Sequence, residues 1–237
     1  MPAGELLWYG LDMIIAIASN KGGVGKSTIA AHLAVWLHRR GRSTILCDCD
    51  RQQSSSVWVH EVQPDLPTVV LTDSNAIVNR LPLLGQDAEF VVADGPGSDS
   101  DTSRLLLLRS DLAIVPAKAS MLEARALASV TQLVREAQDI RHGPPAALIV
   151  LSMVGKNYRL TKDMLDAARA LSIGVASTPL TLRQAYADAP GQGTVVWDMG
   201  TRARDAATEI EQLFRELLPD IADRSTLNHA NAAGGML

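Results

Sequence analysis

The segment NKGGVGKST at residues 20–28 constrains this chain more than any other, because it lies between an apolar strand pattern and a helical pattern. Glycines let the backbone turn with its N–H groups pointing inward, and the N-terminus of the following helix adds positive potential. Such a loop can hold phosphate groups. Lys26 is placed to reach the β- and γ-phosphates of a nucleotide, and the Ser27 hydroxyl to bind Mg²⁺. The alternative is a glycine-rich turn in which the lysines occur by chance.

Short β-branched runs alternate with longer helical patterns along most of the chain, which is typical of βαβ units. Strands are predicted at 13–19, 43–47, 68–71, 90–93, 112–116, 147–151 and 173–175. Helices are predicted at 28–40, 75–84, 103–109, 121–140, 161–171 and 201–218. Several strands are apolar on both faces, as parallel strands covered by helices must be. The sequence therefore predicts an α/β fold, a single doubly wound and mainly parallel sheet with helices on both faces.

This one domain is predicted to span residues 13–218, with an N-terminal extension at 1–12 and a flexible C-terminal tail at 219–237. The longest apolar stretches fall short of the roughly 20 residues that cross a bilayer, and no secretion signal pattern is present. Cys47 and Cys49 are too few and too close for a disulfide framework, and they are interpreted as strand packing. These features predict a cytoplasmic protein. A net charge of −4 excludes a protein coated in positive charge, although a local basic patch could still meet phosphate.

Acidic residues follow two of the predicted strands. Asp48 and Asp50 come at the end of the second strand, at the edge where open α/β sheets bind ligands. One carboxylate can orient a metal-bound water and the other can position an attacking water, although a plain polar turn would leave the same pattern. Asp94 ends the apolar run 90–93 about 70 residues after the loop, where an aspartate can hold Mg²⁺. Gly95 follows it and is available to sense a γ-phosphate.

The loop resembles the deviant Walker A motif of the ParA/MinD family of ATPases, a type of P-loop NTPase. Asn20 stands where the ordinary pattern has glycine, and Lys21 is the additional lysine of the variant. The resemblance implies ATP and Mg²⁺ as cofactors, and a homodimer that forms on ATP, with Lys21 reaching the nucleotide of the partner. The implied nucleotide-binding residues are Lys21, Gly22, Gly23, Val24, Gly25, Lys26, Ser27 and Thr28.

The same resemblance assigns roles to the acidic positions. Asp50 matches the aspartate that positions the hydrolytic water, so the implied catalytic residues are Lys21, Lys26 and Asp50. Asp48 matches the aspartate near the metal, and the implied metal ligands are Ser27, Asp48 and Asp94. Arg51 replaces the proline that is usual in the family, and residues 151–154 depart from the pattern that reads adenine.

The C-terminal third resembles the part of ParA proteins in which arginines contact DNA phosphates without reading sequence. Arg183, Arg202 and Arg204 are the candidates, with Lys156 and Arg159 as weaker ones. The alternative is that these arginines are solvated and pair with nearby acids such as Asp188, Asp205 and Glu209.

The resemblance is to short ParA proteins, which lack a helix-turn-helix extension. It implies a nucleoid-associated partition ATPase that binds non-specific DNA and is released when an adaptor stimulates hydrolysis. The adaptor would be a centromere-binding ParB-like or ribbon-helix-helix protein, and the cargo a plasmid, a chromosome or another large body. A membrane-surface ATPase resembling MinD is disfavoured, because the C-terminal segment is neither basic nor clearly amphipathic. A metabolic amidoligase is the third alternative, for which 237 residues leave little room.

Overall fold

The structure is a computed structural model that describes residues 12–97, 99–118, 121–155 and 173–221. Within these ranges one parallel sheet of seven strands has the order β3-β2-β4-β1-β5-β6-β7. Every predicted strand is present, with its ends shifted by a few residues at most. The strands are β1 (Met13–Ile17), β2 (Thr44–Asp48), β3 (Thr68–Val70), β4 (Phe90–Asp94), β5 (Leu112–Lys118), β6 (Ala146–Ser152) and β7 (Gly174–Val175).

Seven α-helices lie within the described residues, and they are α1 (Lys26–His38), α2 (Ser54–Val62), α3 (Ser74–Asp87), α4 (Ser100–Arg109), α5 (Met121–Arg141), α6 (Gln184–Gly191) and α7 (Arg204–Leu217). The predicted helix at 201–218 is a 3-10 turn, Gly200–Ala203, followed by α7. Sequence patterns gave no helix at α2 or α6. The predicted helix at 161–171, and the candidates Lys156 and Arg159, lie outside the described residues.

Helices cover the sheet on both faces, as the apolar strands required. Alternate side chains of each strand point to opposite faces, and those of β1 show the division. Ile15 and Ile17 pack toward α1, α2 and α7 in one core cluster, whereas Ile14 and Ala16 pack toward α3 and α4 in another. A third cluster joins α4 and α5 to β5 and β6. The predicted doubly wound α/β architecture is therefore confirmed.

Side-chain caps distinguish the helices on the two faces. Asp73 accepts a hydrogen bond from the backbone of Ala76 at the start of α3, and Asp99 caps α4 in the same way. The start of α1 has neither a side-chain cap nor an acidic residue in its first turn. The unpaired N–H groups at the N-terminus of a helix attract anions, so α1 begins with its donors free for a ligand.

Cys47 and Cys49 are both buried and face the α3 side of the sheet, which fits the interpretation that they are strand packing. Their sulfur atoms lie 3.7 Å apart and both cysteines are free thiols. In the described ranges, no helix has both the length and the apolar character needed to cross a membrane.

Candidate nucleotide-binding site

The loop between β1 and α1 has the backbone geometry that its glycines predict. Gly23 and Gly25 adopt positive φ angles of 65° and 91°, the left-handed region in which a Cβ atom is unfavourable. Val24 packs into the interior between them and is fully buried. The loop therefore leads directly into the uncapped first turn of α1, and its N–H groups and those of the helix are available at one place.

Lys26 lies at the start of α1 and is only 6% exposed. Its ammonium group donates a hydrogen bond to the carbonyl oxygen of Lys21, 2.8 Å away across the loop. Burial lowers the pKa of Lys26, while the carboxylates of Asp94 and Asp50 act in the opposite direction. A buried ammonium group inside the loop favours the binding of a polyanion, because the oxygens of the anion would replace the water contacts that burial removes.

Asp94 ends β4 beneath the loop and is completely buried. Among the described residues, neither of its carboxyl oxygens has a hydrogen-bond partner. Burial raises the pKa of Asp94 to about 7, and the neighbouring Asp48 adds to the effect. The hydroxyls of Ser27 and Ser55 lie near enough to oppose it without meeting hydrogen-bond geometry. Two orphaned carboxyl oxygens beside a serine hydroxyl are a donor set of the kind that Mg²⁺ prefers.

No group of three or more histidine, cysteine or acidic side chains in the described ranges could hold a metal ion by itself. A cation at Asp94 and Ser27 would therefore need further oxygen ligands. The phosphates of a nucleotide and water supply such ligands, and Mg²⁺ is commonly bound by one or two protein groups in this manner.

Asp48 pairs in register with Asp94 on the adjacent strand, so the two carboxylates, each of which was predicted to end a strand, end neighbouring strands. Both oxygens of Asp48 already accept hydrogen bonds. One bonds the backbone of Asp50 at 3.0 Å, and the other bonds the Ser55 hydroxyl and the Ser56 backbone, each at 2.9 Å. Asp48 thus fixes the turn after β2 and the first turn of α2. Its predicted role as a metal ligand stays a prediction.

Asp50 stands in that turn, half-buried, and lines the cleft in front of the loop. One of its oxygens accepts a hydrogen bond from the backbone of Gln52 at 3.0 Å. The turn places this carboxylate on the wall of the cleft, whereas Asp94 is fully buried and is not part of the lining. Asp50 is therefore the carboxylate that a water molecule in the cleft can reach.

Gly97, rather than Gly95, is the glycine that approaches the loop. The backbone N–H of Gly95 is already bonded to the carbonyl of Ile17 at 3.0 Å. A Cβ atom on Gly97 would lie 2.9 Å from the Cα of Gly22 and 3.5 Å from the ammonium nitrogen of Lys26. The segment after β4 therefore contacts the phosphate loop through Gly97, which only a glycine permits.

Two side chains from other elements hold the loop in place. The hydroxyl of Ser152, the last residue of β6, donates a 2.7 Å hydrogen bond to the carbonyl of Val24. The amide of Asn20 donates to the hydroxyl of Ser129 on α5 at 3.0 Å. The residue that departs from the glycine pattern at position 20 therefore gives the loop a side-chain anchor.

Lys118 is a third lysine beside the loop that sequence analysis missed. It is the register partner of Ser152 and ends β5, which continues four residues past its last pairing with β1 at Ile114. Its ammonium nitrogen would lie 3.8 Å from a Cβ atom on Gly23. A lone charge at the end of an otherwise apolar strand was the available signal.

The residues around the loop enclose an open cleft of about 650 Å³. Of the residues predicted to bind nucleotide, the cleft is lined by Gly22, Gly23, Gly25, Lys26, Ser27 and Thr28. A smaller and mostly apolar cavity of about 130 Å³ adjoins it, and Gly25, Thr28 and Met153 line both spaces. Leu182 and Tyr186 form part of its outer wall. Together the two spaces offer a polar compartment beside an apolar one.

The three arginines predicted to bind DNA have different surroundings. Arg183 forms ion pairs with Asp205 at 3.0 Å and Glu209 at 2.6 Å, so the alternative of local pairing describes it well. Arg202 donates a hydrogen bond to the side-chain oxygen of Gln192. Arg204 is exposed, and its guanidinium has no partner among the described residues.

Comparison with known sequences gives a family match over most of the chain. Residues 15–196 match the family described as the CobQ/CobB/MinD/ParA nucleotide binding domain. The maintenance of carboxysome distribution protein A of Halothiobacillus neapolitanus is 30% identical over 210 residues, which cover 86% of this chain and 96% of that protein. Protein ParA of Rhizobium radiobacter is 27% identical over 202 residues, covering 84% and 91%.

Solved structures agree with these matches at the level of the fold. McdA from Cyanothece in complex with ATP superposes with a TM-score of 0.71 and 19% identity, covering 88% of this chain and 97% of the other. The cell division ATPase MinD of Pyrococcus furiosus gives a TM-score of 0.69 at 19% identity, covering 87% and 98%.

Proposed function

The chain belongs to the CobQ/CobB/MinD/ParA family of nucleotide-binding domains, and on that premise we propose that it is a ParA-type partition ATPase that positions a large cargo on DNA. It is an ATPase of the ParA/MinD type, with ATP and Mg²⁺ as its cofactors. The observation that carries the proposal is the loop cleft of about 650 Å³, which Lys26, Ser27 and Asp50 line, with the buried carboxylate of Asp94 near enough to act on the charge of Lys26.

Each group of residues around the cleft has a separate role in ATP hydrolysis. The loop N–H groups and Lys26 bind the phosphates and offset their charge. Ser27 and Asp94 would hold Mg²⁺, which when bound neutralises charge on the phosphate oxygens. Asp50, on the wall of the cleft, positions the attacking water. Lys21 is exposed at the rim of the loop, where it is free to reach the nucleotide of a second protomer.

The apolar cavity beside the cleft suits the adenine base. Its walls come from Met153, Leu180 and Tyr186, whose side chains offer apolar surface to a flat ring. Thr28, the last of the predicted nucleotide-binding residues, lines both this cavity and the cleft. The base would therefore be held mainly by packing and by backbone groups, which accounts for the absence of the usual adenine-reading pattern at 151–154.

The proposed cycle begins with ATP-dependent dimerisation, which places two nucleotide sites at one interface. The dimer binds duplex DNA without sequence preference, and a separate ParB-like or ribbon-helix-helix adaptor stimulates hydrolysis and release. The names of the relatives support cargo positioning: one maintains carboxysome distribution, and another is the chromosome-partitioning ATPase Soj of Thermus thermophilus.

The test is fluorescence anisotropy of a labelled random-sequence duplex titrated with the full chain in ATP, in ADP and without nucleotide, each at two salt concentrations. Binding that requires ATP and weakens with salt is expected. Static light scattering on the same samples should show a dimer only in those that contain ATP. A protein that hydrolyses ATP and dimerises but never binds the duplex would contradict the partition role and leave the ATPase assignment intact.

A further inference from the structure

The residues that line the loop cleft distinguish its two ends. Thr28 and Met153 also line the apolar cavity that is proposed to hold the base, so they mark the base end. Asp50, Arg51 and Asp99 line the cleft but not that cavity. We propose that Arg51 binds the terminal phosphate of ATP in the cleft of its own protomer. The inference rests on the proposed function, because it adds a residue to the nucleotide site that this function requires.

Arg51 lies in a β-turn that hydrogen bonds hold in place. The backbone N–H of Gln53 donates to the carbonyl oxygen of Asp50 at 3.0 Å, so the turn runs from Asp50 to Gln53. The Asp50 side chain also accepts from the backbone of Gln52, and the Asp48 side chain accepts from the backbone of Asp50, each at 3.0 Å. The backbone that carries Arg51 is therefore fixed at the cleft before a nucleotide binds.

Arg51 occupies the second position of this turn, where proline is favoured because its fixed φ suits the turn. The φ angle of Arg51 is not in the left-handed region, and its backbone N–H has no acceptor within the described ranges. A proline would therefore lose no hydrogen bond here. Because the turn needs neither the N–H nor the side chain of Arg51, what the arginine adds is a guanidinium group in the cleft.

This guanidinium group is exposed and forms no hydrogen bond or ion pair in the part of the chain that the structure describes. Asp99 is an acid near it: hydrogen bonds from Thr102 are the main cause that lowers the pKa of Asp99, and the charge of Arg51 adds to them. The oxygens of Asp99 are already engaged, one by the backbone N–H groups of Asp101 and Thr102 and the other by the Thr102 hydroxyl at 2.7 Å. Arg51 is therefore available to an anion in the cleft.

The chemistry of a guanidinium group suits a phosphate at this end of the cleft. It can donate two parallel hydrogen bonds to phosphate oxygens. Lys26 reaches the phosphates from the start of α1, whereas Arg51 reaches them from the turn after β2 and adjoins Asp50, which is proposed to position the attacking water. An arginine beside the transferred phosphate can stabilise the charge of the transition state. Arg51 should thus favour ATP over ADP and increase the rate of hydrolysis.

A nucleotide phosphate fits the position of Arg51 better than the backbone of duplex DNA does. A cleft of about 650 Å³ has the size of a small-molecule site, for which roughly 300–1,000 Å³ is usual. The loop glycines and Lys26 line the same space, so a phosphate that they bind lies within the cleft that Arg51 lines. DNA remains the alternative that the test must separate.

The test uses three variants of the full chain. Arg51→Pro removes the guanidinium group and keeps the turn, and Arg51→Lys keeps the charge without the paired donors. Arg80→Gln is the control, because it removes an exposed arginine from α3 that does not line the cleft. Calorimetry with Mg²⁺ measures the Kd of ADP and of a non-hydrolysable ATP analogue, and steady-state assays measure kcat. Melting temperatures verify that each variant is folded.

Arg51→Pro should bind the ATP analogue about tenfold more weakly, because a hydrogen-bonded charge is lost, and bind ADP within about twofold of the wild type. Its kcat should fall by about tenfold or more, since charge builds on the transferred phosphate. Arg51→Lys should recover part of both losses. Arg80→Gln should match the wild type in all three measurements.

Equal weakening of ADP and the ATP analogue in Arg51→Pro, or of neither, would overturn the assignment to the terminal phosphate. Normal nucleotide binding and kcat with weaker binding of a random-sequence duplex would instead assign Arg51 to DNA. In both cases the proposed function would stand as long as the wild type binds DNA only with ATP. A wild-type protein that bound ATP but no duplex would contradict the partition role without affecting the test of Arg51.

Discussion

His32 offers a prediction that depends on its burial and on two hydrogen bonds. It lies in the second turn of α1, fully buried, with its ring edge-on to Trp58 and Trp197. Nδ1 faces the carbonyl of Thr28 at 2.7 Å, and Nε2 faces the backbone N–H of Val196 at 3.2 Å. Since a carbonyl only accepts and an N–H only donates, the ring must be neutral and protonated at Nδ1.

Protonation of this ring would break the bond from Val196 and place a charge in the core. Burial lowers the pKa of His32 from 6.5 to about 4; its bond to Thr28 and Asp198 oppose the shift, and Arg39 reinforces it. The unfolded chain therefore binds a proton more readily than the folded one. The stability that neutral His32 provides is complete above pH 6.5 and is lost as the pH falls toward 4. At ~1.4 kcal/mol per pH unit, the loss is about 3 kcal/mol.

The perturbation is His32→Gln, which removes the titrating group, with His60→Gln as the control because His60 is exposed on α2. Urea unfolding of each variant and of the wild type, without nucleotide, is measured from pH 4 to 8. The wild type should exceed His32→Gln in stability by an amount that grows by about 3 kcal/mol across this range. Taking the difference cancels the other titrating groups.

A difference between wild type and His32→Gln that stays constant with pH would refute the reasoning, as would the same pH dependence in His60→Gln. Should His32→Gln fail to fold, NMR of the wild type decides the question. The ring protons of His32 should then show no titration between pH 5.5 and 8.

The remaining predictions concern the cleft. Lys26→Ala should abolish nucleotide binding measured by calorimetry, because the phosphate charge loses its buried counterion. Asp50→Ala should still bind ATP but hydrolyse it slowly and accumulate the ATP dimer in light scattering; normal hydrolysis would remove Asp50 from the catalytic residues. Asp94→Asn should stabilise the nucleotide-free protein in EDTA at pH 8 by up to about 4 kcal/mol in urea unfolding, since the raised pKa of about 7 makes the ionised carboxyl unfavourable above that pH. That gain in stability should vanish toward pH 4. The Asp94→Asn variant should also lose Mg²⁺-dependent ATPase activity.

Local sequence patterns predicted the strands, because parallel strands buried on both faces appear as short apolar runs. They missed α2, whose first three residues are serines that favour caps and turns. The helix is stabilised by contacts with residues outside its own sequence. Trp58 and Val59 are buried in the core beside α1, and the carboxylate of Asp48 binds the first turn.

The candidate site likewise contains residues that the sequence could place and residues that it could not. The loop glycines and the strand-terminal Asp94 follow from short-range geometry, so their spacing in the sequence was enough to place them. The position of Lys118 depends on how far β5 continues past β1, and register between strands is a property of the assembled sheet. The pairing of Arg183 likewise joins residues that lie 22 and 26 positions apart. Surface arginines could not be sorted into paired and free ones from sequence.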